Sequence, residues 1–226
     1  APIGEARGFE ARLARIGDVC ELTEPQRRKL RLAMEADCRR LAEEIDAERR
    51  KYLGMTANLQ EPEGQRTFQQ LQQDVQRCRQ RLQSLFAADS LFAKVLPTTL
   101  DPPQHARYLA ETDARRAYRW KAMVAAAMLK FDDILGLDQR QHEAIEKLLM
   151  ARQPRLRLDG HPARNDHNTA QMQLMLVWLT LSEVDAGQLQ AAVSERQGRT
   201  LLQLANQGKA MRSFIEAQGI LEKAAP

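Results

Sequence analysis

The chain has 226 residues, of which 28% are charged and 5% aromatic, with a net charge of +4 and a pI near 9.1. That length can bury a proper core as one domain or two intimate ones, and the composition, dominated by Leu, Ala, Arg, Gln and Glu, is that of long helices, not of a β-sandwich or a dinucleotide-binding sheet. The positive charge is interleaved with acid: Arg27-Arg28-Lys29, Arg39-Arg40 and Arg49-Arg50-Lys51 alternate with Glu35, Asp37, Glu43-Glu44 and Glu48. No single-sign stripe forms, so nucleic acid is not expected as a partner.

In chain order, Phe9, Leu13, Ile16 and Cys20 give a first amphipathic helix, ending near Cys20. Leu22-Thr23-Glu24-Pro25-Gln26 then opens a long helix with the stripe Leu30, Met34, Cys38, Leu41, Ile45 and Tyr52, stopping at Gly54. About 30 residues make a rod of roughly 45 Å. After the polar turn Glu61-Pro62-Glu63-Gly64, the residues Phe68, Leu71, Val75, Cys78, Leu82 and Leu85 form the seam expected of an antiparallel coiled-coil hairpin. The other faces carry Gln69, Gln70, Gln72, Gln73, Gln76, Gln80 and Gln83, a solubilising surface or an adaptable hydrogen-bonding one.

A short apolar segment, Leu91 to Leu96, is expected to end at Pro97. Leu100-Asp101-Pro102-Pro103-Gln104 starts a helix through Tyr108, Ala114, Tyr118, Met123, Ala127 and Phe131 that closes at Gly136. Asp132 and Asp133 at its end oppose the macrodipole and need a basic partner or a capping role. Leu137-Asp138-Gln139-Arg140-Gln141 starts another, ending before Pro154, and a polar loop runs from Pro154 to Asn168. An apolar helix from Met172 to Leu181 follows; its apolar run, Leu174 to Leu179, is far short of the ~20 residues that cross a bilayer. Leu181-Ser182-Glu183-Val184-Asp185 is expected to launch the last helix, through Leu189, Val193, Leu201, Leu204, Met211 and Phe214, with Gly198 and Gly208 weakening it or admitting a close neighbour. The fold predicted is all-α, built of long antiparallel helical hairpins. Residues 1–96 form an N-terminal helix plus hairpin, and 97–226 a C-terminal helical array packed as one unit with it.

The four boxes share a chemistry. A Thr, Asp or Ser oxygen accepts from a free N–H of the first turn, and a Gln three residues on, or an acid in the fourth box, reaches back to the cap's own N–H. Thr23 with Gln26, Asp101 with Gln104, Asp138 with Gln141, and Ser182 with Asp185 are therefore the expected helix caps. Four such starts suggest a repeated architecture.

Catalytic signatures are missing. His105, His142, His161 and His167 have no nucleophile motif beside them, and no Glu-x-x-His pair, glycine-rich phosphate loop or Cys-x-x-Cys-His is present. The chain is read as a non-enzyme without cofactor. His161, Asp166 and His167, with Asp159 nearby, gather ligand types for zinc, nickel or copper, although the spacing is not a recognised ligand spacing. Cys38 and Cys78 both fall in the seams of the two rods and are expected to lie close; with Cys20 the count is odd.

The literal Leu22-Thr23-x-x-Gln26, and its relatives at 100, 137 and 181, resemble the LTxxQ-motif family of bacterial envelope proteins, which includes periplasmic stress chaperones of the Spy and CpxP kind. The resemblance covers four short motifs and the helical frame between them. It implies helices that curl into a cradle-like homodimer, a periplasmic or secreted location, and binding in place of catalysis. A start at Ala1 suits a processed mature protein or a trimmed one. The function expected is a chaperone-like holder of exposed protein segments or a stress-regulatory partner, with Arg27, Arg31, Arg39 and Arg77 steering acidic clients. The alternatives are a metal-responsive envelope sensor using the 159–167 loop and a structural subunit of an envelope assembly.

Overall fold

The computed structural model describes residues 3–56, 58–83, 85–156, 166–217 and 221. They form ten helices: α1 (Ile3–Cys20), α2 (Glu24–Tyr52), α3 (Pro62–Gln83), α4 (Leu91–Thr99), α5 (Pro102–Leu135), α6 (Gln139–Met150), α7 (Asp166–Leu181), α8 (Ala186–Ala192), α9 (Glu195–Ala210) and α10 (Arg212–Ala217). Among the described residues there is no strand, only an isolated antiparallel bridge between Leu156 and Leu221. The fold is all-α.

The chain divides into two compact units, residues 1–111 and 112–226. The division falls inside α5 and not at 96/97. The first turns of α5 carry Gln104, which is buried, and Tyr108, which packs on the core of the first unit, so they belong with what precedes them.

The first unit is centred on Leu13, Ile16 and Cys20 of α1, Leu30 and Met34 of α2, and Phe92, Leu96 and Leu100 around α4. The start of α4 is fixed from afar: the buried Asp37 carboxylate accepts from Leu91 N (3.0 Å) and Phe92 N (2.8 Å), while Ser90 Oγ accepts from Ala93 N (3.0 Å). α4 does not end at Pro97 but runs on to Thr99, with the Thr98 and Thr99 hydroxyls donating to Val95 O. Beyond Leu41, α2 buries no further residue. From there α2 and α3 run as a pair in opposite directions, Glu44 meeting Arg81 (3.4 Å) and Tyr52 meeting Asp74 (2.7 Å).

The second unit has the larger core. Trp120, Val124, Met128 and Phe131 of α5 pack with Ile145, Leu149, Leu176, Val177, Leu201 and Ile215, and Trp120 Nε1 donates to Leu149 O (3.1 Å). α7 and α9 make its closest helix pair. A Cβ on Gly208 of α9 would stand 2.3 Å from the backbone of Trp178 and Leu179, so only glycine admits that approach.

The expected single C-terminal helix is three. Its apolar spacing runs on unbroken, but the chain leaves helical geometry at Val193 (φ −141°, ψ 173°) and restarts at Ser194. Ser182 is no cap: its hydroxyl donates to Leu179 O (2.6 Å) at the end of α7, and Asp185 caps α8 by accepting from Gln188 N (3.0 Å). The stops were legible, since Gly54 (φ +78°) and Gly136 (φ +60°) take the left-handed conformation just past α2 and α5.

Candidate functional site

Three of the expected boxes close as drawn. Gln26 Oε1 accepts from Thr23 N (3.0 Å) and Thr23 Oγ1 (3.1 Å). Gln104 Oε1 accepts from Asp101 N (3.0 Å) while Asp101 Oδ1 takes Gln104 N (2.8 Å), and Gln141 with Asp138 repeats this at 3.1 and 2.8 Å. The fourth box is Ser194 with Gln197, whose Oε1 accepts from Ser194 N (2.9 Å) and Oγ (2.6 Å). The signal for it is Val193-Ser194-x-x-Gln197, the same pattern with valine in place of leucine.

The boxes act in pairs, one pair in each unit. In the first, Gln26 Nε2 donates to Gln104 Oε1 (2.8 Å) and Gln104 Nε2 to Gln26 Oε1 (3.2 Å). In the second, Gln141 and Gln197 exchange the same two bonds at 3.1 and 3.2 Å. The glutamine of the hydroxyl box also reaches the backbone just before the aspartate box: Gln26 to Thr99 O (2.9 Å), Gln197 to Leu135 O (3.2 Å) and Gly136 O (3.3 Å). Glutamine suits this position because one amide supplies an acceptor for its own helix cap and donors for the helix opposite; glutamate could not donate. This is a structural clamp and leaves no reactive group exposed.

The surface with binding character lies on the α2–α3 pair. Leu53 (61% exposed), Met55 (60%) and Leu59 (52%) stand at its tip, and Phe68 (42%) and Val75 (41%) follow along α3. Gln69, Gln70, Gln72, Gln73, Gln76 and Gln80 are exposed around them, with Arg66, Arg77 and Arg79. The stripe read as a closed seam is thus partly open. Beside the half-buried Ile45, Leu71, Cys78 and Leu82, polar bonds join the two helices. Asp74 is buried, accepts from Tyr52 Oη and from Gln70 Nε2 (3.1 Å), and faces Arg77 (3.1 Å). The Tyr52 bond holds the Asp74 carboxyl below the usual range, with Arg77 assisting against burial; the same bond, then burial, pushes the Tyr52 phenol up to about 12.

The four arginines expected to steer a partner have different neighbours. The Arg27 guanidinium lies over Gly17 of α1, Arg31 faces Glu10 (3.7 Å), and Arg77 is tied to Asp74; Arg39 is exposed on α2. None of the three cysteines is in a disulfide. The register set by Tyr52–Asp74 and Glu44–Arg81 puts Cys78 level with Glu48, about ten residues or ~15 Å along α2 from Cys38, beyond the reach of a bridge. Cys20 is buried, donates to Gln104 O (3.6 Å), and burial pushes its thiol up.

Of the candidate metal ligands, His161 lies outside the described residues, as do the side chains of Asp166 and His167, which open α7. Among the described residues no group of three or more His, Cys, Asp or Glu could hold an ion. Near the end of α5, His142 Nδ1 meets both oxygens of Asp132 (3.1 and 3.2 Å) and Lys130 meets Asp133 (3.4 Å), which answers the charge left there by the sequence. No described helix is long and apolar enough to cross a membrane. No protein-family model, no curated protein and no solved structure matches the chain.

Proposed function

We propose that the chain is a non-enzymatic helical binding protein of the bacterial envelope, periplasmic or secreted, which holds exposed segments of other proteins on the α2–α3 pair of its first unit. The observation that carries this reading is the row Leu53, Met55, Leu59, Phe68 and Val75, left in solvent within a glutamine- and arginine-bearing surround. Apolar contact supplies affinity for unfolded chain, and the amides around it can meet backbone N–H and C=O groups in any register. The Tyr52–Asp74 bond links the two helices and leaves Phe68 and Val75 of α3 exposed. The Leu-Thr-x-x-Gln resemblance supports the same location and role.

The test is suppression of aggregation of a reduced, unfolding client at near-stoichiometric ratio and without nucleotide. The parent should suppress it, and Leu59→Gln with Phe68→Gln should lose most of that effect while keeping its helical content, because both side chains are already exposed. Arg39→Glu should slow capture of acidic clients at low salt and matter little at high salt. Equal suppression by parent and Leu59→Gln/Phe68→Gln, or none by the parent, would sink the reading.

A further inference from the structure

The second half of α5 is apolar on two opposite faces. The inner one is the core face of Trp120, Val124, Ala127 and Phe131. The outer one consists of Tyr118 (76% exposed), Ala122, Ala125 and Leu129 (66%), spaced by four, three and four, so that they form one straight seam along the helix. Arg115 continues the seam at one end and Asp132 at the other. The Asp132 carboxylate is positioned by His142 (3.1 Å) and its side chain remains 38% exposed.

This seam reads the same in both directions. From either end it runs charge, large apolar residue, alanine, alanine, large apolar residue, opposite charge. An interface between identical chains about a two-fold axis requires that if one residue meets a second, the second meets the first. A two-fold axis between Met123 and Val124 satisfies that at every level: Arg115 meets the partner's Asp132, Tyr118 the partner's Leu129, and Ala122 the partner's Ala125. The alanines fall at the crossing point, where small side chains allow the closest helix approach, and the charges fall at the two ends. The parallel arrangement would set Arg115 against Arg115 and Asp132 against Asp132, which is repulsive.

We propose that this face of α5 is the docking site for a second copy of the chain, with the two α5 helices antiparallel. A dissimilar partner would place no mirror requirement on the seam, whereas a second copy makes use of all six positions. One helix pair buries an area at the small end of specific interfaces, below ~1,200 Å², so the dimer dissociates on dilution. The inference stands on the second unit alone and is independent of client binding by the first.

Sedimentation equilibrium from about 1 µM to about 1 mM brackets such a contact. The parent is expected to pass from monomer to dimer within that range. Ala122→Arg places two cations at the crossing point and should weaken association at least about tenfold with an unchanged melting profile. Independently of that variant, Ala122→Cys combined with Ala125→Cys should give an oxidised dimer whose linked peptides join position 122 of one chain to position 125 of the other. A parent that stays monomeric, a dimer indifferent to Ala122→Arg, or cross-links in another register would overturn the proposal.

Discussion

The two units solve the same problem with the same clamp and differ in what they do with the helices it holds. Both lock a hydroxyl-capped helix start to an aspartate-capped one through exchanged glutamine amides, Gln26 with Gln104 and Gln197 with Gln141. The second unit then gathers a larger core around Trp120, Phe131, Ile145 and Leu149, and leaves Tyr118 and Leu129 on the outer face of α5 exposed. In the first, the core stops at Leu41 and the outer half of α2 pairs with α3 through Tyr52, Asp74, Glu44 and Arg81, with Leu53, Met55, Leu59 and Phe68 in water. A common way of starting helices therefore says little about how much surface a unit leaves available. That is decided by what packs against the far ends.

The strongest way to break this comparison is to empty the larger core. Trp120→Ala removes a fully buried side chain and one of the donors to Leu149 O, so it should cost about 3–5 kcal/mol. Hydrogen exchange should show faster opening of α6, α7 and α9 with α2 unchanged. Loss of protection in both units together would mean that they unfold as one.

A smaller effect sharpens the likeness. Gln104→Ala should cost about 2 kcal/mol, because it leaves buried groups unpaired, and Gln141→Ala, at a half-buried site, about 1 kcal/mol. Double-mutant cycles of Gln26 with Gln104 and of Gln141 with Gln197, followed by urea unfolding, should each give a coupling of about 1 kcal/mol. Strict additivity in either unit would show that its amides do not act as a pair.

The smallest effect belongs to the polar clasp. Tyr52→Phe should speed amide exchange in α3 without changing the global transition. Because the Tyr52 phenol is raised, its contribution is complete below its ordinary pKa near 10 and is lost as pH climbs through about 12; because Asp74 is lowered, its contribution is complete above ordinary carboxylate pH and is lost as pH falls below that range. Protection of α3 should therefore be flat between about pH 5 and pH 9 and fall on both sides, and the alkaline fall should be absent in Tyr52→Phe.

What could be read from the residues alone was what is local. Thr23, Asp101 and Asp138 announce helix starts by side chains that bond within three residues, and Gly54 and Gly136 announce stops by the backbone they allow. Ser194 escaped because valine precedes it and because Leu189, Val193, Leu201 and Leu204 keep helical spacing straight through the break. Periodicity records which face is apolar and is blind to a change of axis. The pairing of the glutamines was invisible for another reason: the partners stand 78 and 56 residues apart, and nothing in one box names the other. The same limit applied to the row at Phe68 and Val75, whose spacing promised a closed seam while its exposure depends on how α2 meets it. The division of the chain inside α5 leaves no mark because the helix itself is uninterrupted.

Asp37 has a bearing on how this molecule can vary. It fastens the start of α4 from 54 and 55 residues upstream, and all of the outer α2–α3 pair lies between those two points. The core of the first unit therefore sees only that the chain departs near Leu41 and comes back near Phe86. Removing or adding matched whole turns on both arms would leave the carboxylate and its two N–H donors where they are, and even a doubling of the enclosed chain adds only about 0.6 kcal/mol of closure entropy. The length of the arm is thus a free variable of this architecture, one that related chains or an engineer could set by the reach required of it.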